Sequence, residues 1–371
     1  MDFTLTPAQD DLGALSRQIL TDRVTRERLR EIEATGTGFD PALWSDLASA
    51  GVLAAALPEA FGGSGFGLLE HCTVLIEIGR TVAPVPYLAS IVLGAAAVAA
   101  FGRPDQQERW LVPAATGGLI LAAALAEEDS EDARRPATTA DRSGESWELS
   151  GSKTTVLGGA IADILLVPAS TPDGPAVFVV APSDPGVSVR PQHVTGGDAT
   201  AVVELSRARV PQDRVLGSVA AGPEIIDWLI GRATVGLCAL QLGVTERALE
   251  LTAAYARSRE QFGKPIGSFQ AVSQRLADCF IDIEGIRLSL WQAAWLLAEG
   301  RPSVTEVATA KFWAAEAGHR VAHTAVHVHG GVGIDMDGDI HRYFAAAKHN
   351  EFAFGGATAQ LRRIGAVLAS S

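Results

Sequence analysis

The stretch that decides the fold joins two long helical patterns and reads Tyr255-Ala-Arg257-Ser-Arg259-Glu-Gln261-Phe262-Gly263-Lys-Pro-Ile-Gly267-Ser-Phe269-Gln270-Ala-Val. An arginine near the end of a helix, followed three residues later by an aromatic ring, can grip a pyrophosphate while the ring packs on an adenine or a ribose. The stretch therefore indicates a nucleotide-type ligand at a helix end. The alternative is that Arg259 and Glu260 form only surface ion pairs.

A second motif lies further along the chain and reads Val326-His327-Val-His329-Gly330-Gly331-Val-Gly333. Paired glycines let a backbone approach a cofactor closely. The alternative is that these glycines only cap the end of a helix.

Helical periodicity surrounds both motifs. Apolar residues recur at spacings of three and four from Ile226 to Tyr255 and from Phe269 to Leu297. Further helices are predicted over about 303–329 and 340–354, with a short last helix after Gly356. Long neighbours joined by short turns predict a C-terminal four-helix bundle.

The rest of the chain divides into a helical and a β-type segment. Thr6 precedes Pro7 as a helix N-cap, and a second helix is predicted from Pro41 to the stop at Gly51. Short β-type runs separated by Gly, Pro, Asp and Ser turns then predict a small antiparallel β domain. The predicted fold class is α+β with three domains, which are an N-terminal helical domain over 1–117, a central β domain over 118–218 and the bundle over 219–371.

These two motifs and this domain order closely resemble the acyl-CoA dehydrogenase family. The resemblance extends over essentially the whole chain and implies the acyl-CoA dehydrogenase fold with FAD as cofactor. In that family the matching residues reach across a subunit interface to the ADP half of an FAD that a neighbour mainly binds. The residues that the resemblance assigns to a partner's FAD are Arg259, Gln261, Phe262, Phe269, Gln270, His327, Gly330 and Gly331.

Several positions depart from the family pattern. The Thr/Ser-rich loop that usually holds a subunit's own flavin becomes the acidic stretch 126–132, whose carboxylates are expected to repel a pyrophosphate. Leu157 stands where a threonine usually hydrogen-bonds the flavin ring, and His327 replaces the glutamine that opens the glycine turn.

The catalytic glutamate of the family is also missing. The segment Phe352-Ala-Phe-Gly-Gly356-Ala-Thr358-Ala-Gln360 places Gly356 at its position, and Ala233 stands at the alternative position on the first long helix. Neither side chain can take a proton, and a general base contributes ~10²–10⁴-fold to a rate. No catalytic residue is therefore predicted in this chain.

The missing residues are those with which a subunit of this family holds its own flavin and takes the substrate proton. The residues that contact a partner's FAD across the subunit interface are kept. This pattern resembles the non-catalytic subunit of heterotetrameric (α2β2) acyl-CoA dehydrogenases from actinobacterial steroid side-chain degradation, such as those acting on cholesterol C26-acyl-CoA esters. The resemblance implies that the catalytic partner's glutamate takes the α-proton of an acyl-CoA, that the β-hydride passes to the flavin, and that an electron-transfer flavoprotein receives the electrons.

Two alternatives stay open at this point. One is a self-sufficient homotetramer with a displaced base, such as Glu246 or Glu351. The other is a non-enzymatic member of the family that serves as a structural or acyl-CoA-binding protein.

Composition narrows the class of protein. The formal net charge of -13 and the acidic pI near 5.1 argue against nucleic-acid binding and suit a cytoplasmic enzyme. The longest apolar run, about 88–101, is too short for a membrane span, and residues 1–7 lack the features of a signal peptide. The three cysteines, Cys72, Cys238 and Cys279, are expected to be buried free thiols.

His319, His323 and His327 follow one another at four-residue steps, a spacing that could place metal ligands on one helix face. The sequence offers no acidic or cysteine partner in register, and His327 belongs to the glycine turn. We therefore expect structural histidines and no metal site.

Overall fold

The computed structural model describes residues 6–128, 132–197 and 199–370. The chain forms two compact units, a bundle unit (Met1–Leu29, Cys72–Ala83 and Thr234–Ser371) and a sheet unit (Arg30–His71 and Pro84–Ala233). The bounds predicted for the three domains remain a prediction, because the two compact units divide the chain at other points. The expectations for residues 1–5 and for the acidic positions 129–131 lie outside the described residues.

The predicted α+β fold class and the helical bundle are confirmed. The bundle helices are α7 (Gly222–Ser258), α8 (Gln270–Ala298), α9 (Val304–His329), α10 (Ile340–Phe352) and α11 (Ala357–Ser370). Helix α10 ends two residues earlier than predicted, because Ala353 (φ -58°, ψ 132°) already leaves the helical conformation, and the left-handed Phe354 (φ 55°) and Gly355 (φ 90°) follow it.

A polar network lies inside this bundle. Gln241 of α7 donates to the Ala347 carbonyl of α10 (3.3 Å) and accepts from Asn350 Nδ2 (3.1 Å). At Gly318 of α9 a Cβ would come within 1.9 Å of the Gln241 amide. Glycine at this position therefore lets α9 approach the buried glutamine, and the satisfied amide joins α7 to α10.

The N-terminal helices begin as the sequence predicts. Thr6 and Gln9 form a capping box, in which Thr6 Oγ1 accepts from the Gln9 backbone (3.3 Å) and Gln9 Oε1 accepts from the Thr6 backbone (2.9 Å). The apolar run is a buried helix that opens with a π-helical segment, Leu88–Ala95. The first six α-helices are α1 (Pro7–Arg23), α2 (Arg26–Thr35), α3 (Pro41–Ser49), α4 (Leu68–Thr81), α5 (Ala96–Phe101) and α6 (Pro104–Ala115).

A seven-stranded sheet forms the core of the sheet unit. The strands are β1 (Leu121–Ala123), β2 (Thr139–Ser143), β3 (Ser146–Val156), β4 (Ile164–Thr171), β5 (Gly174–Val180), β6 (Val187–Pro191) and β7 (Ala201–Pro211). Their order is β1-β4-β2-β3-β7-β6, and β5 pairs with β4. Trp147 and Phe178 meet edge to face in the core with ring centroids 5.4 Å apart.

The sheet is mixed rather than purely antiparallel, which corrects the sequence prediction. β1 pairs with β4 in parallel, with Leu121 opposite Ile164, and β2 also meets β4 in parallel at Thr139 and Ser170. Alternation of apolar residues reports which face of a strand is buried, but the direction of pairing between distant strands leaves no local signal.

One described helical stretch, Val219–Ser258, is long and apolar enough to cross a membrane by length and composition. Most of its most apolar 18-residue window is buried inside the protein, as expected of a core helix. The three cysteines are free and buried, as predicted. Burial raises the pKa of the Cys238 thiol to about 12.

Candidate functional site

The first motif forms a hairpin at the C-terminal end of α7. The Arg259 backbone donates to the Tyr255 carbonyl (2.8 Å), and Ile266 then donates to the Arg259 carbonyl (2.8 Å). Two short strands, β8 (Glu260–Gln261) and β9 (Lys264–Pro265), pair antiparallel between these points. The hairpin therefore fixes Arg259 where the helix ends.

The tip of this hairpin presents an aromatic ring to solvent. Phe262 (φ 55°) and Gly263 (φ 78°) form the two-residue turn, and the Phe262 side chain is 85% exposed. A left-handed backbone is unusual for a bulky residue. The Phe262 ring meets Phe269 edge to face at 6.2 Å, and Lys264 Nζ lies 4.4 Å from the Phe269 ring centre. Arg259, Gln261 and Gln270 are also exposed.

The second motif forms a turn after α9. Gly330 has φ 64° and ψ -140°, a conformation essentially restricted to glycine, and a short 3-10 helix covers Gly330–Ile334. His327, Gly330 and Gly331 are exposed. No described heavy atom lies within 4 Å of a Cβ built on Gly330 or Gly331, so a ligand has room to approach this backbone.

An aromatic stack joins the two motifs. The rings of Tyr255 on α7 and His329 on α9 lie 4.3 Å apart at 22°. His329 Nδ1 is also 2.8 Å from the Ala325 carbonyl, and burial lowers the pKa of His329, which favours the neutral ring. The structure thus brings the ends of α7 and α9 together, and with them the hairpin and the glycine turn that the sequence predicts to act on one cofactor.

In the sheet unit, the acidic stretch differs from its prediction at Glu127. This carboxylate is buried and accepts from Lys153 Nζ (2.6 Å) and Thr138 Oγ1 (2.6 Å). Burial alone would raise the pKa of Glu127, but the bonds from Lys153 and Thr138 hold it below its ordinary value. The charge of Glu127 is therefore compensated by Lys153 inside the fold and does not repel a ligand. The sequence prediction was wrong at this position because Lys153 lies 26 residues further along the chain and nothing local marks it as the partner.

The segment that carries Leu157 contains a backbone distortion. Thr155 has φ 47°, rare for a β-branched residue, and its backbone donates to Gln192 Oε1 (2.8 Å). Leu157 is half-buried, and Gly158 (φ 69°) follows it. The leucine side chain offers no hydrogen bond to a flavin ring.

The turn after α10 is well anchored but carries no acid. Gln360 is fully buried, and its Nε2 donates to the carbonyls of Phe354 (3.1 Å) and Gly355 (3.0 Å). Residues 352–357 read Phe-Ala-Phe-Gly-Gly-Ala, so a shift of the alignment by one or two residues around Gly356 still finds no carboxylate. Ala233 is fully buried in α7.

The two carboxylates considered as displaced bases are both engaged in ion pairs. Glu246 pairs with Arg80 (2.7 Å) and Arg287 (2.8 Å). Glu351 pairs with Lys348 (2.6 Å) and lies 3.1 Å from His319 Nδ1. Both carboxylates therefore already have cationic or imidazole partners within the bundle unit.

Glu351 also corrects the analysis of the histidines. The sequence offers no acidic partner in register, but α10 packs on α9 and places Glu351 beside His319. The His319 and His323 rings lie 4.2 Å apart, and His323 meets Phe344 edge to face. Within the described ranges, no group of three or more His, Cys, Asp or Glu residues could hold a metal ion.

Sequence reasoning missed Lys311 of α9. Its ammonium is fully buried and donates to the carbonyls of Asn350 (2.7 Å) and Glu351 (3.0 Å), close to the end of α10. Burial lowers the pKa of Lys311 to about 8. The available signal was its position in the apolar run Val307–Ala315, where a lysine falls on the buried face.

Comparison with known proteins decides the family. The N-terminal, middle and C-terminal domains of acyl-CoA dehydrogenases match residues 6–118, 122–210 and 220–369. The chain belongs to the acyl-CoA dehydrogenase family. Members of this family are oxidoreductases and generally bind FAD.

The similarity to individual proteins covers the whole chain or nearly all of it. The chain is 50% identical to acyl-CoA dehydrogenase FadE27 of Mycobacterium tuberculosis, with complete coverage of both proteins. Its fold matches a chain of the ChsE4-ChsE5 complex from the same organism with a TM-score of 0.96, 51% identity and complete coverage of both. It also matches a chain of a variant of the Tcur3481-Tcur3483 steroid ACAD with a TM-score of 0.93, 42% identity and 99% coverage of both.

Proposed function

We propose that this chain is the non-catalytic subunit of a heteromeric (α2β2) acyl-CoA dehydrogenase. The complex dehydrogenates a bulky acyl-CoA, of the steroid side-chain class, between its α and β carbons. The observation that carries the proposal is a contrast within one unit: the hairpin and glycine turn are built and exposed, while the turn 352–357 has no carboxylate.

The exposed residues at the ends of α7 and α9 fit the ADP half of an FAD. The Arg259 guanidinium can donate a forked pair of hydrogen bonds to a pyrophosphate. The Phe262 ring, 85% exposed, offers a face for an adenine, and the Gly330–Gly331 backbone is open to close approach. The proposed contacts are those of Arg259, Gln261, Phe262, Phe269, Gln270, His327, Gly330 and Gly331 with an FAD that a partner subunit mainly binds.

Within the complex, FAD supplies a hydride acceptor. This chain contributes adenine-side contacts and interface area, and a glutamate of the catalytic partner takes the α-proton. An electron-transfer flavoprotein in the cytoplasm then accepts the electrons. Division of labour between unlike subunits is supported by the two similar structures, both of which are pairs of differently named chains.

The steroid assignment rests on similarity. One of the two similar structures is described as a steroid ACAD. A bulky acyl group is also compatible with such a complex. A subunit that carries no complete active site can leave room for a wider acyl cavity.

Flavin stoichiometry tests the proposal. The chain is expressed alone and together with a candidate catalytic subunit from the same genomic neighbourhood, and protein-bound flavin is measured against polypeptide. We expect a colourless chain alone, and one flavin for every two polypeptides in an active complex. One flavin per polypeptide in a homomer that turns over acyl-CoA would establish the displaced-base alternative. No flavin in any assembly would establish the non-enzymatic alternative.

A further inference from the structure

A second ligand-sized feature lies in the bundle unit and shares no lining residue with the hairpin or the glycine turn. A cavity of about 390 Å³ is lined by residues of α1, the start of α2, the end of α4, α7 and the start of α10. We call it the arginine cavity. Its charged lining consists of five arginines and two carboxylates, which are Arg17, Arg26, Arg80, Arg247, Arg342, Glu77 and Asp339. Two carboxylates outside the lining also pair with these arginines, because Arg80 contacts Glu246 (2.7 Å) and Glu250 (2.6 Å) and Arg247 contacts Glu250 (3.0 Å).

The arginine cavity has a buried floor and an open rim. The side chains of Glu77 and Arg342 are 5% and 7% exposed and form the floor. Arg17, Arg26 and Arg247 stand at the rim with 63%, 46% and 43% exposure. Asp339, 39% exposed, also stands at the rim, so a ligand entering from solvent meets three guanidinium groups and one carboxylate.

The ion pairs in the cavity orient the rim arginines and leave donors for a ligand. Arg17 makes a forked pair with Glu77 (3.0 and 2.6 Å), and Arg26 makes one with Asp339 (2.9 and 2.7 Å). A guanidinium has five N–H donors, and a forked pair engages two of them. Each of these two rim arginines is thus held in place by a carboxylate while the rest of its donor fork remains available to an anion.

Two local features of the cavity lining are unusual. Asp339 is the N-cap residue of α10, yet its side chain makes no cap hydrogen bond, because Arg26 holds the carboxylate. The N-terminus of α10 lies at the cavity, and the Asp339 carboxylate lies there with it. Val82 has φ 47°, a strained conformation for a β-branched residue, and strain of this kind is concentrated at ligand sites.

The remaining wall is apolar. It is formed by Val24, Leu29, Val82, Leu251 and the ring of Tyr343, whose hydroxyl donates to the Arg80 carbonyl (2.8 Å). Such a wall can accept the non-charged body of a small molecule, and the volume falls within the ~300–1,000 Å³ of ligand pockets.

We propose that the arginine cavity binds a small phosphate ester, with its phosphate on Arg17, Arg26 and Arg247 and its apolar or aromatic body on the Leu251 and Tyr343 wall. Phosphate is favoured over a monocarboxylate because several guanidinium forks converge on one cavity and a phosphate monoester offers three acceptor oxygens and about two negative charges. The proposal is independent of the flavin contacts at Arg259.

Calorimetric titration of the full-length chain tests this site, with AMP, inorganic phosphate and adenosine as probes. AMP is expected to bind more tightly than phosphate, and adenosine to show no binding. Arg26→Gln and Arg247→Gln should each weaken AMP binding about tenfold or more, the equivalent of one charge-assisted hydrogen bond. Arg190→Gln is the matched control, because Arg190 is an exposed arginine paired with Glu204 in the sheet unit.

Two further variants keep the test decisive. Because AMP could also occupy the predicted ADP contacts, the titration is repeated with Arg259→Gln, which should leave binding to the arginine cavity unchanged. Arg247→Lys keeps the charge and removes the fork, so it should give intermediate affinity if Arg247→Gln fails to fold. The proposal is overturned if AMP does not bind, if adenosine binds as well as AMP, or if only Arg259→Gln reduces binding.

Discussion

The rings of Tyr255 and His329 stack 4.3 Å apart, and through this contact the end of α7 is joined to the end of α9. Each residue lies within one of the two motifs, so the stack holds the hairpin segment next to the glycine turn. An aromatic pair of this kind contributes about 0.5–1.5 kcal/mol beyond the area that it buries.

Tyr255→Ala is expected to lower the flavin content of the co-expressed complex while leaving the Tm of the chain nearly unchanged. The physical reason is that the stack fixes the relative position of two exposed segments whose own helices remain packed. Flavin absorbance per polypeptide and the Tm are measured side by side. Tyr255→Phe keeps the ring and serves as the control, and equal losses in both variants would show that the stack itself is irrelevant.

Arg259→Gln is expected to weaken FAD retention by the complex about 10–100-fold, the equivalent of a hydrogen bond to a charged group. Arg259 is exposed in the isolated chain, so its replacement should leave the Tm of that chain unchanged. Flavin release is followed by fluorescence on dilution. Arg190→Gln should retain flavin fully, and a complex that is indifferent to the loss of Arg259 would contradict the assigned contact.

A restored carboxylate is expected not to create an enzyme from this chain alone. Gly356→Glu is sterically reasonable, since a Cβ there has its nearest neighbour at 3.5 Å. Phe354→Glu covers a shifted alignment. Both variants should stay colourless when expressed without a partner, because the proposed function gives this subunit no complete flavin site of its own. Bound flavin that bleaches with an acyl-CoA in either variant would refute this expectation.

His71 predicts a loss of stability at mildly acidic pH. Its Nδ1 lies 3.1 Å from the Tyr87 hydroxyl, and burial, reinforced by Arg232, lowers the pKa of His71 from 6.5 to about 3. Between these values the unfolded chain binds a proton that the folded chain does not, so stability falls as pH drops below 6.5. The difference amounts to about 2 kcal/mol at pH 5.

Urea unfolding from pH 7 to 4.5 measures this effect. We expect His71→Gln to have a lower free energy of unfolding than the parent protein at pH 7. The difference between the two free energies should become smaller as the pH falls. His193→Gln, at an exposed position in the sheet unit, is the control and should follow the parent curve. A gap that stays constant over this range would contradict the neutral buried histidine.

The buried Lys311 is expected to make the free energy of unfolding depend on pH in the alkaline range. Because burial lowers the pKa of Lys311 to about 8, the unfolded chain holds an extra proton from there up to the ordinary value of 10.5. The stability contributed by this group should therefore rise with pH across that window. Lys311→Met removes the donors to two buried carbonyls, costs about 1–3 kcal/mol, and should abolish the rise.

The measurement is urea unfolding between pH 7 and 10. Lys264→Met replaces an exposed lysine and is expected to keep the rise seen in the parent protein. If Lys311→Met follows the same pH curve as the parent, the buried ammonium is not the titrating group.

Several elements could be predicted from sequence because their signal is local. The Thr6 cap, the stop near Gly51 and the long bundle helices follow from capping residues and from apolar spacing, and all are found. The parallel pairing of β1 with β4 could not be predicted, because the two strands are brought together by the course of the intervening chain.

The sequence by itself determined the fold class, the family and the absence of a carboxylate in the turn around Gly356, since each depends on residue identity in a short segment. Only the tertiary structure decided that Glu127 pairs with Lys153, that Glu351 lies beside His319, and that five arginines line one cavity. The physical reason is that ion pairs and hydrogen bonds form only between groups that lie close together in space. For segments that are far apart in the chain, the packing of helices and strands sets these distances.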